Sequence, residues 1–176
     1  MIHQNEYADR RKGLFSLIEQ NSLDAFLVTS RESIYYLTGL TYEPLERPFF
    51  MIMFPNGTSK TLVPRMEEVH LQTLPNIGDL YAYWEYPSPA GEGWADKLSA
   101  LLDGINKLGI EPSLTQEIAT QLSEFYLIIA PLIDKMRLVK SKDEIVMLRQ
   151  AASFAIKGME ALLNASYYGV SEIELF

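Results

Sequence analysis

Cysteine is absent from the 176 residues, and histidine occurs only twice. The first absence removes disulfides, thiolate nucleophiles and cysteine-bound zinc together. The second leaves His3 and His70, too few for a centre that needs three or more His, Asp, Glu or Cys side chains at one point. It also leaves little to activate a serine nucleophile, and no Gly-x-Ser-x-Gly elbow occurs. His3 lies in a polar tail and His70 beside Glu67 and Glu68, so both are expected at the surface. Basic charge is scarce as well: 15 Lys and Arg against 23 Asp and Glu give a net charge of −8. That sign argues against a phosphate-backbone partner, and no nucleic-acid ligand is expected. The one basic cluster, Lys135 to Lys142, is interleaved with apolar residues and acids and reads as a solvated joint. Long apolar runs are missing too. The longest, Phe125 to Ile133, contains a proline and falls far short of the roughly 20 residues that span a bilayer. The opening MIHQNEYADRRKG has no apolar core of a signal peptide. A soluble chain in a reducing cytoplasm is the expectation, with no membrane partner.

What is present is an ordinary apolar fraction, 48%, in enough chain for one domain with a real core plus an extra helix. Tyr7, Leu14, Leu17 and Ile18 mark an opening amphipathic helix that stops at Asn21. Ala25 to Val28 is an unbroken apolar run, as expected of a strand covered on both faces. Ser30 to Leu37 predicts a short helix closed at Gly39, followed by a loop, TYEPLERP. Phe49 to Phe54 and Thr58 to Val63 flank Pro55-Asn56-Gly57, where Asn-Gly is expected to supply the positive φ values of a tight antiparallel hairpin. Met66 to Leu74 reads as a short helix. Leu80 to Tyr86 reads as a strand with Leu80, Ala82, Trp84 and Tyr86 on one face. Trp94, Leu98, Leu101 and Ile105 fit a helix, and Leu108 to Glu111 a strand. Leu114, Ile118, Leu122 and Phe125 fit a helix opened by a Ser113–Gln116 capping box, and Leu132 to Val139 is expected as the last strand. Strands alternating with helices predict a layered α/β domain, with a mixed β-sheet and helices on both faces, over residues 1–140. The glycines at 91 and 93 offer amides to an anion in principle, but no strand runs directly into them and neither nucleotide fingerprint is complete.

The joint after residue 138 carries the sharpest signals. Ser141 and Glu144 form a capping box, and Ile145, Leu148, Ala152, Ile156, Met159 and Leu163 then recur at spacings of three and four. The result is a helix of about six turns with an apolar stripe that needs a partner. Gly169 is expected to close that helix. Ser171 with Glu174 forms a second capping box, stapled by Val170 and Leu175. A helix of so few residues does not nucleate alone, so Phe176 is expected to be a cut inside a longer protein, with residues 141–176 holding a linker helix and the beginning of a second domain.

The run RLVKSKDEIVMLRQAA, followed by GVSEIEL, resembles the junction of the prolidase, aminopeptidase P and creatinase family, where an N-terminal domain meets a metal-dependent pita-bread catalytic domain. DAFLVTSRESIYYLTGL at Asp24 to Leu40 is similar to that family's first strand and YLTG segment, and PNGTSKTLV to its hairpin. The likeness covers the whole chain in family order. It implies a creatinase/prolidase N-terminal domain of ribonuclease H-like layering, and a C-terminal helix from a truncated pita-bread domain.

The resemblance further implies that the parent is a Xaa-Pro dipeptidase-like metallopeptidase acting on proline-containing dipeptides or short peptides. Its two divalent metals (Mn, Co or Zn) would be held by two Asp, one His and two Glu of the missing domain. From Ala151 onward this chain has neither Asp nor His, so no catalytic or metal-binding residue is expected here and the fragment is expected to be inactive. Its implied role is to shape substrate access and support a homodimer. Tyr35, Tyr36, Tyr42, Phe49 and Phe50 cluster in sequence around one proline-rich loop, as core or as pocket wall. On the family analogy Tyr36, Thr38 and Arg47 are the substrate-proximal candidates. The stretch before YLTG reads LVTSRESI and lacks the arginine- and glutamine-bearing segment associated with bacterial aminopeptidase P, which favours a dipeptidase. A creatinase-like hydrolase, an aminopeptidase P or a non-enzymatic interaction module of the same fold are the alternatives.

Overall fold

The computed structural model describes residues 3–41 and 46–175. Six strands form one sheet in the order β4-β3-β2-β1-β5-β6. In chain order they are β1 (Ala25–Val28), β2 (Phe50–Met53), β3 (Ser59–Pro64), β4 (Asp79–Tyr83), β5 (Lys107–Ile110) and β6 (Tyr126–Ile129). β2 pairs antiparallel with β1 and β3, and the other pairings are parallel, so β2 alone is reversed. The helices are α1 (Gln4–Gln20), α2 (Arg31–Thr38), α3 (Glu68–Leu71), α4 (Trp94–Leu101), α5 (Gln116–Gln121), α6 (Leu132–Leu138) and α7 (Lys142–Ala165). A mixed sheet with helices on both faces is the predicted class.

Period-two alternation builds the two faces. Phe26, Val28, Met51 and Met53 join Leu14 and Ile18 of α1, Ile34 and Leu37 of α2, and Leu132 and Ile133 of α6 in one core. Ala25, Leu27, Phe50 and Ile52 point the other way, against Leu98 of α4 and Leu122 just after α5. Each such side chain, fully buried, contributes about 1.5–3 kcal/mol. The central strands β1 and β2 are buried at every position, which explains why they read as unbroken apolar runs.

Gly39 caps α2 with φ 78°, donating to the Tyr35 carbonyl. The space above it is taken: a Cβ there would lie 2.8 Å from the Tyr7 ring. Thr38 Oγ1 donates to the Ile34 carbonyl at 2.7 Å and accepts from Leu40 N. The hairpin turn is not the double positive-φ form. Gly57 has φ 88° but Asn56 does not, and Asn56 Oδ1 accepts from Thr58 N at 3.0 Å. With Gly57 N bonded to the Phe54 carbonyl and Phe54 N to that of Thr58, this is a type I turn followed by a left-handed glycine.

Four further readings are corrected. Leu132 to Val139 is not a strand: the last strand is β6, and Pro131 then leads into α6. Phe125 lies beyond α5, whose cap is Thr115 rather than Ser113, with the Thr115 hydroxyl accepting from Ile118 N. β4 ends at Tyr83, leaving Trp84 half-exposed and Tyr86 fully exposed in the following loop. The long helix ends at Ser166, and Gly169, with φ 94°, belongs to the turn after it. Tyr42 lies outside the described residues.

The described residues form two compact units, Gln4–Leu138 and a second that contains the segment from Val139 onward. In the second, the Ser141–Glu144 capping box closes in both directions, at 2.8 Å and 3.1 Å. Ser171 and Glu174 do the same and open a 3₁₀ turn, Glu172–Leu175. No residue of α7 is buried.

Candidate functional site

Two carboxylates fasten the central parallel pair of the sheet. At the entry end, Asp24, just before β1, accepts from Lys107 N at 2.8 Å and Asn106 N at 3.0 Å. Those two backbone bonds, Lys107 first, hold the Asp24 carboxyl below its ordinary pKa. At the exit end, Glu111, just after β5, is buried and accepts from Thr29 N at 2.6 Å, Ser30 N at 2.9 Å and Ser30 Oγ at 2.9 Å. Ser30 is the N-cap of α2, so Glu111 fills the place at that helix start where an external anion otherwise sits.

The other end of α2 is held by cations, as its dipole favours. Arg10 is buried. It donates to the Tyr36 carbonyl at 2.9 Å, pairs with Glu6, and stacks its guanidinium 4.1 Å from the Tyr36 ring centroid. Arg11, its pKa drawn down by burial, donates to the Leu37 carbonyl at 2.9 Å and to Asn76 Oδ1 at 2.7 Å. The YLTG segment is therefore a packed helix end: Tyr36 under Arg10, Leu37 in the core, Thr38 bonded along its own helix, Gly39 against Tyr7.

Of the three residues proposed to lie near substrate, Tyr36 and Thr38 sit together on this buried turn. Arg47 lies elsewhere, partly exposed, with its guanidinium 3.1 Å from the Met66 sulfur. Arg47 lines a cavity of about 430 Å³ together with Tyr83, Trp84, Tyr86 and Trp94. A second cavity of about 340 Å³, walled by Thr29, Ser30, Ser113, Thr115 and Ile118, shares Glu46, Pro48 and Trp94 with the first. Both open where β1, β4 and β5 end. Tyr35 borders a separate shallow pocket with Arg31 and Leu40, while Phe49 and Phe50 are core. Glu111, Arg10 and Trp94 are the residues that sequence reasoning passed over. Arg10 had a signal, since it interrupts the Tyr7–Leu14–Ile18 stripe of α1.

Among the described residues no three His, Asp or Glu side chains gather to hold a metal ion. His3 is highly exposed, and His70 is exposed with its ring 3.4 Å from a Glu67 oxygen. The residues present do not fit a hydrolytic metal centre, and no bond-breaking step is derived from them.

A six-stranded sheet with one reversed strand, covered on both faces and open at its carboxyl edge, defines a mixed α/β domain. Residues 10–139 match the Creatinase/Prolidase N-terminal domain, and the chain belongs to that family. An uncharacterized peptidase of Staphylococcus aureus strain USA300 is 29% identical over 164 residues, covering 90% of this chain and 44% of that protein. The prolidase of Pyrococcus horikoshii superposes with a TM-score of 0.76 at 24% identity, over 95% of this chain and 46% of its own. A Xaa-Pro dipeptidase from Bacillus anthracis gives 0.78 at 23%, over 96% and 46%. At those identities the two structures show the fold alone. The chain spans less than half the length of these relatives.

Proposed function

We propose that this chain is the non-catalytic N-terminal part of a Xaa-Pro dipeptidase-like metallopeptidase, with residues 1–140 as its first domain and residues 141–176 leading into the next. The observation that carries this reading is the family match over residues 10–139 in a chain that covers only 44% of its peptidase relative. The folded unit supplies a buried, doubly fastened sheet and a cleft at its carboxyl edge, a scaffold suited to narrowing access to a neighbouring active site. Two divalent metals, Mn, Co or Zn, bound by two Asp, one His and two Glu beyond residue 176, would supply the hydrolytic water. Homodimer formation and a cytoplasmic location belong to the same proposal. No helix among the described residues is long and apolar enough to cross a membrane.

The test is a comparison of this chain with the longer protein encoded by its gene, assayed on Xaa-Pro and Xaa-Ala dipeptides with and without added divalent metal. Metal-dependent Xaa-Pro cleavage by the longer protein alone is expected. Cleavage by this chain with a stoichiometric bound metal, or a gene that ends at Phe176, overturns the proposal.

A further inference from the structure

Adjacent parallel strands β1 and β5 send their chains to opposite faces of the sheet. α2 packs into the core that holds Phe26, and α5 leads into the core that holds Leu27. In open α/β sheets, ligands bind in the crevice beyond the strand ends at such a switch point. Here the crevice is occupied by the two cavities that share Glu46, Pro48 and Trp94, so together they form one trough.

The chemistry of the trough selects against anions. The amides that face a phosphate in nucleotide-binding folds are already taken, because Glu111 holds Thr29 N and Ser30 N and the Ser30 hydroxyl accepts from Ser33 N. α4 begins at the trough too, with the Asp96 carboxylate in its first turn. Four carboxylates line the trough, Glu46, Glu85, Asp96 and Glu117, against the single cation Arg47. The walls are aromatic, and one of them already carries a cation: the Arg65 guanidinium lies 5.0 Å from the Trp84 ring centroid. Aromatic faces beside carboxylates attract an ammonium through both the ring quadrupole and the charge.

We propose that this trough binds the protonated amino end of a short peptide, the ammonium among the carboxylates and the first side chains against the indoles. The volume supports a peptide over a lone amine, since 430 Å³ in the larger cavity is within the range of sites that enclose a drug-sized ligand. The proposal rests on the peptidase reading only in treating that peptide as a substrate. Binding is measured without turnover, so its failure and a failure of hydrolysis by the longer protein are separate results.

The chain contains two tryptophans, and both line the larger cavity, so intrinsic fluorescence reports on the site directly. The probes are Leu-Pro-Leu amide with a free amino end, its N-acetyl form, and N-acetyl-Lys-Pro-Leu amide, whose only amine is on the side chain. The free-amine peptide is expected to give a saturable change that weakens with salt, with both acetylated probes weaker by about tenfold or more. The double variant Glu85→Gln with Asp96→Asn is expected to bind the free-amine peptide at least about fivefold more weakly at an unchanged unfolding midpoint. Equal binding of the N-acetyl form, a lysyl probe that matches the free amine, full binding by the double variant, or no response to the free-amine peptide at millimolar concentration each overturns the proposal.

Discussion

Glu111 shows how a single side chain fixes where two elements meet. It is a buried acid that accepts three hydrogen bonds from Thr29 and Ser30, and a carboxylate has no hydrogen to turn towards those donors. Glu111→Gln swaps one oxygen for an NH₂ that faces them, and is expected to lower unfolding stability by about 2 kcal/mol or more, read from urea denaturation. Asp24 does the reciprocal work at the other end of the pair but is exposed. Its carboxyl is held below the ordinary range by the Lys107 and Asn106 amides, so the folded state binds its proton less readily than the unfolded chain does. The stability it contributes is complete above the unfolded value, about 4 for an aspartate, and is lost as pH falls through the lower folded value. Asp24→Asn should therefore be less stable than the parent at neutral pH, with the gap closing through that acid window in pH-dependent thermal melts. Neither residue's role is visible from local pattern. Each acid bonds amides about 80 positions away, and only the β1–β5 register brings them together.

Elements were legible where a signal is local. The Ser30 and Gly39 boundaries of α2, the hairpin, and both capping boxes near the C-terminus follow from side-chain chemistry within a few residues. The failure at Phe125 to Val139 has a physical source. One apolar run there holds a strand, Tyr126–Ile129, and the first turn of a helix, Leu132–Leu138, and periodicity cannot divide a run of that kind. Pro131 was the missed clue, because proline is favoured at the first turn of a helix and ends a strand. The Leu132, Ile133 and Met136 spacing is helical, and all three pack on the core. The capping box of α7 invites a direct test. Ser141→Ala removes the acceptor for Glu144 N, and is expected to cost about 1 kcal/mol of helix stability, seen as faster amide exchange over the first turn of α7 while β1 and β5 keep their protection.

At the scale of the whole chain, the two units differ in how they treat apolar surface. The Gln4–Leu138 unit buries its large side chains in two clusters, one on each face of the sheet. α7 leaves Leu148, Phe154, Ile156, Met159 and Leu163 more than half exposed. A helix apolar on most of its circumference is ordinarily enclosed, and each of these side chains forgoes about 1.5–3 kcal/mol by remaining in water. Contiguous exposed apolar surface of this kind marks an interaction site. In the proposed parent the next domain covers α7; without that cover, self-association is the cheapest way to bury it. Light scattering of the 176-residue chain beside one ending at Lys140 separates the outcomes. The shorter chain is expected to be monomeric, with the same near-ultraviolet dichroism from the tryptophan-lined trough. The longer one is expected to gain mass with concentration, and to lose that gain when Phe154 and Leu163 are changed to glutamate. Equal mass and solubility for the two chains would show that α7 tolerates water as it stands, and the case for a covering domain would then rest on the family match alone.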